Sequence, residues 1–117
     1  MKEVVLKKLR CTNVTTNGLQ IALLESRSLL ALCVSNSIKS LMDNEQFKDR
    51  KLRMNDLSDE DSYTIELNTE DATILRVSLK ATMPKDCSSV TPIIMYEVSD
   101  RTLELNKVIK ETTKAYC

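Results

Sequence analysis

The residues of this chain best suited to nucleophilic or metal chemistry are four cysteines, Cys11, Cys33, Cys87 and Cys117. A thiol becomes a useful nucleophile only where a base or a positive field turns it into a thiolate. The usual base is histidine, and the chain has none. The same absence removes the best proton carrier near neutral pH and the commonest zinc ligand. No two cysteines stand in a CxxC pair, so neither a zinc ribbon nor a dithiol redox site is expected. Cys33 lies in an apolar run and reads as a small core residue. The acidic groups Asp59-Glu60-Asp61 and Glu70-Asp71 fall in expected turns, where carboxylates keep a surface solvated. Gly18 is the only glycine, which leaves no glycine-rich loop to cradle a phosphate. These absences point away from an enzyme, and no cofactor or metal is expected.

Charge offers a second chemistry. Lys48, Arg50, Lys51 and Arg53 form a basic block, followed by Asp56, Asp59, Glu60 and Asp61. Such blocks usually make solvated loops whose halves screen one another. The sharper reading is an anion-binding patch for phosphate, nucleic acid or an acidic partner, using the forked geometry of arginine. Lys107, Lys110 and Lys114 share one face of the last expected helix and could track a phosphate backbone. The bulk numbers give nucleic acid little help. Lys plus Arg balances Asp plus Glu at 17 each, and one Phe, three Tyr and no Trp leave few platforms for bases to stack on.

The elements that must position these groups are read from hydrophobic periodicity. In Tyr63-Thr64-Ile65-Glu66-Leu67 apolar and polar residues alternate. Beyond the turn Asn68–Asp71, Thr73, Leu75, Val77 and Leu79 face one way and Arg76, Ser78 and Lys80 the other. This is a hairpin with one wet face. Met83–Ser89 reads as a loop, and Pro92 introduces a short strand, Ile93–Val98. The chain closes in an amphipathic helix from about Asp100 to Tyr116, capped by Ser99 or Asp100, with Leu105, Val108, Ile109, Thr112 and Tyr116 inward. A shorter middle helix is expected from Ser37 to about Gln46, with Ile38, Leu41 and Met42 inward, whereas Lys48–Leu57 could be an edge strand or a loop.

The most apolar stretch, Asn17–Val34, admits two readings. Its leucines, alanines and glutamine are good helix formers. However, Glu25-Ser26-Arg27-Ser28 would go once around a helix and interrupt any apolar stripe. As strands, Leu19, Ile21 and Leu23 share a face, as do Leu30, Leu32 and Val34, and the polar quartet becomes their connection. Asn17-Gly18 offers a further turn after a Leu6–Val14 run. The meander is favoured over the helix.

The run Gly18-Leu19-Gln20-Ile21-Ala22-Leu23-Leu24-Glu25-Ser26-Arg27-Ser28-Leu29 resembles a hairpin of the sliding DNA clamps, the proliferating cell nuclear antigen and checkpoint clamp families. That resemblance implies a clamp half-domain in which Lys107, Lys110 and Lys114 face DNA. Several short strands followed by one amphipathic helix are also similar to the pleckstrin-homology architecture.

The sequence thus predicts one α+β domain over residues 1–117: an antiparallel sheet of two hairpin regions, a C-terminal amphipathic helix packed on one face and a short middle helix. The first residues lack the apolar core of a signal peptide and no window approaches a membrane span, so a cytoplasmic protein without membrane contact is expected. The functional expectation is a non-enzymatic protein-binding or assembly module, oligomeric, acting through an apolar sheet surface. With Leu30, Leu32 and Val34 turned to the core, the meander leaves an apolar second face for a second copy or another protein. Its residues are Leu24, Leu29, Ala31 and Cys33, with Arg27 at the rim. The alternative is a nucleic-acid-associated protein using the basic residues named above.

Overall fold

Residues Thr16–Met42 form one helix of 27 residues, α1. The computed structural model of the chain describes residues 1–6, 9–10, 16–59, 62–82 and 89–116. The expected meander over Leu19–Val34 is therefore corrected, and with it the clamp-like hairpin, which falls wholly within α1. The polar quartet does not break the helix, and its described side chains each have a different environment. Ser26 is buried, Ser28 faces out, and the Arg27 guanidinium lies over the Tyr63 ring, 3.2 Å from its centre. Beyond them Leu29, Leu30, Cys33, Val34, Ser37 and Leu41 are all buried, at helical spacings of three and four. The expected separate middle helix is corrected too: residues 37–42 are the last turns of α1, and residues 43–46 lie in the turn that follows. Leu41 is buried as expected, but Met42 at the helix end is exposed.

The chain then turns through residues 43–50. Asn44 organises this turn: its carbonyl accepts from Phe47 N and Lys48 N, and its side chain accepts from Gln46 N. Phe47, wholly buried, pins the turn to the core.

The sheet is antiparallel. Its strands are β1 (Lys2–Val5), β2 (Leu9–Arg10), β3 (Arg53–Asp56), β4 (Tyr63–Asn68), β5 (Thr73–Thr82) and β6 (Ser89–Val98). The order across it is β1-β6-β5-β4-β3, with the short β2 paired farther along β6. The expected hairpin is β4–β5, in register Ile65↔Val77 and Leu67↔Leu75. Its turn is closed by Thr69 N donating to Ala72 O at 2.8 Å. A bulge between Leu67 and Asn68 adds one residue to β5, so Ile74 and Leu75 are both buried where strict alternation would expose one.

The last strand starts earlier than expected, at Ser89. Pro92 sits inside it without breaking the β5 ladder. Its carbonyl accepts from Leu6 N, so the edge lacking an N–H faces the gap where β1 pairing ends.

Ser99 caps a short 3₁₀ turn, Asp100–Thr102, by accepting from Arg101 N. The helix proper, α2, runs Glu104–Tyr116. It packs with α1 on one face of the sheet, sending Leu105 and Ile109 into the common core. The two helices are antiparallel: Asn36 Nδ2 donates to Thr112 Oγ1 at 3.0 Å, and Asn44 Nδ2 donates to Glu104 Oε1 at 2.6 Å. The α+β expectation, with an antiparallel sheet and a C-terminal helix on one face, stands.

Candidate functional site

Helicity moves the expected interface residues apart. Leu29 and Cys33 lie one turn apart on the inner side of α1 and are fully buried within the single chain. They cannot line a surface in this fold, which corrects that expectation. Arg27 is half-buried against Tyr63, Ala31 is exposed, and the Leu24 side chain lies outside the described residues.

Among the described side chains of α1, those turned outward are Ser28, Ala31, Leu32, Ser35, Lys39 and Met42. From Ser28 to Ile38 the sequence carries no charged residue at all. A helix resting on a sheet normally puts charge on its wet side. Here Leu32 is 48% exposed with small, uncharged neighbours. Beside it a groove of about 420 Å³ separates α1 from α2, lined by Leu32, Asn36, Val108, Thr112, Ala115 and Glu111. The residue that sequence reasoning missed is Leu32. Its signal was the absence of charge over those eleven positions, legible only once they are known to be helical.

The open face of the sheet has the opposite character. Arg76 on β5 sits between Glu66 on β4 and Glu97 on β6, with Nε 2.6 Å from Glu66 Oε1 and Nη1 3.8 Å from Glu97 Oε2. The hydrogen bond and charge of Glu66, with Glu97 beyond, hold the guanidinium firmly protonated by raising its pKa. This row of charge is a solvated face. Large apolar side chains left exposed include Leu32 and Met42 on α1, Val5 on β1, and Met54 and Leu57 at and just after β3.

The basic residues are dispersed. Lys48 pairs with Glu45 at 3.5 Å, Arg50 with Asp71 at 3.4 Å, and Lys107 with Glu111 at 3.9 Å. Lys51 and Arg53 lead into the edge strand β3, and Lys110 and Lys114 are exposed on α2. Asp71 also has Arg101 within 3.8 Å. The Thr69 hydroxyl, then the two arginines, hold its carboxyl below the usual range. Acid and base are interleaved here, so the field is local.

Among the described residues no group of three or more Cys, Asp or Glu side chains could hold a metal ion. Nor is any described helix long and apolar enough to cross a membrane. Burial pushes the Cys33 thiol up to about 11, which leaves it protonated and unreactive. In native protein at pH 8, Cys33 is expected to resist iodoacetamide, and to label in step with unfolding when denaturant is added. Peptide mapping by mass reads this directly. Prompt labelling of native Cys33 would contradict its burial.

Comparison of the chain with protein-family models, with curated proteins and with solved structures finds no match.

Proposed function

We infer that this chain is a non-enzymatic protein-binding or assembly module whose contact surface is the outer face of α1 and its groove with α2. The observation that carries this reading is the uncharged stretch of α1 around the exposed Leu32. Water gains nothing from such a surface, whereas a second protein would gain the free energy of removing it from solvent. Ala31, at the heart of it, is a residue of the sequence-based interface that remains exposed.

The partner is a second copy or another protein. The test is intact-mass measurement at rising concentration, paired with capture from the native host. Leu32→Asp is expected to abolish any association made through this face while leaving the circular dichroism spectrum unchanged. The association should also survive high salt, since apolar contacts are not screened. Native protein that stays monomeric and captures no partner that Leu32→Asp loses would sink the reading.

The nucleic-acid alternative has less support, because Lys48, Arg50 and Lys107 already sit beside carboxylates. It would instead show binding to DNA or RNA that falls steeply with salt.

A further inference from the structure

A second surface, independent of α1, lies at the edge of the sheet. Strand β3 pairs with β4 on one side only, and no described strand lies beyond it. Leu57 N donates to Thr64 O, and Asp59 N to Ser62 O. With Arg53 opposite Asn68 and Asn55 opposite Glu66, the odd-numbered residues therefore make the ladder to β4. Met54 and Asp56 consequently turn their backbone N–H and C=O outward. The open length ends there, because Asp56 Oδ1 already takes the N–H of Ser58 at 2.9 Å.

Edge strands are commonly blunted by charge, which repels an incoming strand. On β3 the charges are sorted by sign rather than mixed. Lys51 and Arg53 lead in, and Asp56 and Asp59 lead out. This order is self-complementary. In an antiparallel arrangement about a two-fold axis through Asn55, Met54 lies opposite Asp56 of the second copy and Lys51 opposite its Asp59. A parallel arrangement would set like charges side by side.

Two further observations fit this occupant. Met54 and Leu57 are large apolar residues, 57% and 54% exposed, at the strand and just after it. A groove of about 730 Å³ also runs along the first half of β3, lined by residues 51–55 and 68–70. The oxygen Oδ1 of Asn68 is buried in that neighbourhood without a hydrogen-bond partner. In the two-fold arrangement this stretch receives residues 55–59 of the second copy: an apolar Leu57 followed by an acidic segment, against a wall carrying Lys51 and Arg53, with Glu70 as its one acidic residue.

We propose that β3 is a self-association edge, at which two copies of this chain join their sheets antiparallel into one. A contact this short is a reversible dimer stabilised by a few backbone hydrogen bonds, two answering charge pairs and the covered Met54 and Leu57 side chains.

Sedimentation equilibrium of the full chain over a concentration series, at low and high salt, tests it. The native chain should dimerise, and more weakly at high salt, in contrast to an α1 contact. Met54→Pro removes one outward N–H without touching the β4 ladder and should abolish the dimer. Lys51→Glu sets two pairs of like charges face to face and should weaken the dimer about tenfold or more. Asp59→Lys should do likewise, and mixing those two variants should restore the dimer, since both cross-axis pairs become opposite in sign. Circular dichroism of each variant separates lost pairing from lost folding. Leu32→Asp should leave this dimer in place, which keeps it distinct from any α1 contact. A native chain that is monomeric throughout, or a dimer indifferent to both Met54→Pro and Lys51→Glu, would overturn the proposal.

Discussion

Replacing Phe47 with alanine is expected to lower the unfolding free energy by about 3–5 kcal/mol, the range for truncating a fully buried aromatic side chain. Phe47 is the only phenylalanine in the chain. It sits outside every helix and strand, in the turn between α1 and β3, and none of its surface reaches solvent. Its ring belongs to the one apolar cluster that also contains Leu41, Leu67 and Ile74. Truncation there would leave a cavity in that core. An equilibrium urea transition would show this as a lower midpoint with an unchanged slope. A loss below about 1 kcal/mol would mean that the turn is not anchored through this residue.

The second large effect is a contrast between neighbours. Leu29→Ala should cost about 2–5 kcal/mol, while Leu32→Ala should cost about 1 kcal/mol or less. Leu29 is 1% exposed and packed under α1, whereas Leu32 faces out. Extended chain would reverse the order, because Leu30, Leu32 and Val34 would then face the core and Leu29 would not. The same pair of transitions thus tests the helix and ranks the two positions. Equal losses at both would contradict the structure.

Why that helix was hard to see is itself physical. Leu29, Leu30, Cys33, Val34, Ser37 and Leu41 mark a helical face, but Leu30, Leu32 and Val34 fit a strand equally well. A short run rich in leucine satisfies both periods. The polar quartet before it argues for a strand only if every polar side chain must face water, but a serine can be buried and an arginine can stack on an aromatic ring. Neither partner is visible from the sequence nearby. By contrast, β4, β5 and α2 were legible because their charged residues alternate or recur with one period only. Ile74 was not, because one inserted residue at a bulge shifts a strand's alternation. Strand β3, four residues long at an edge, carries too little pattern to separate it from a loop. The candidate surface followed the same logic. Ala31 lies outside whether the stretch is strand or helix, Leu29 and Cys33 only if it is strand, and Leu32 only if it is helix.

The place of β1 in the sheet has a consequence for synthesis. Lys2 pairs with Tyr96 and Val5 with Ile93, so this strand meets a neighbour that lies far along the sequence. The strands β3 to β6 instead form a meander in which each pairs with the next. On a ribosome adding about 5–20 residues per second, β1 must wait roughly 5–20 seconds for its partner to be translated. During that interval its backbone groups can bond only to water or to something else in the cell. The nascent chain therefore carries an unpaired strand through most of the manufacture of this domain, and only the emergence of β6 retires it.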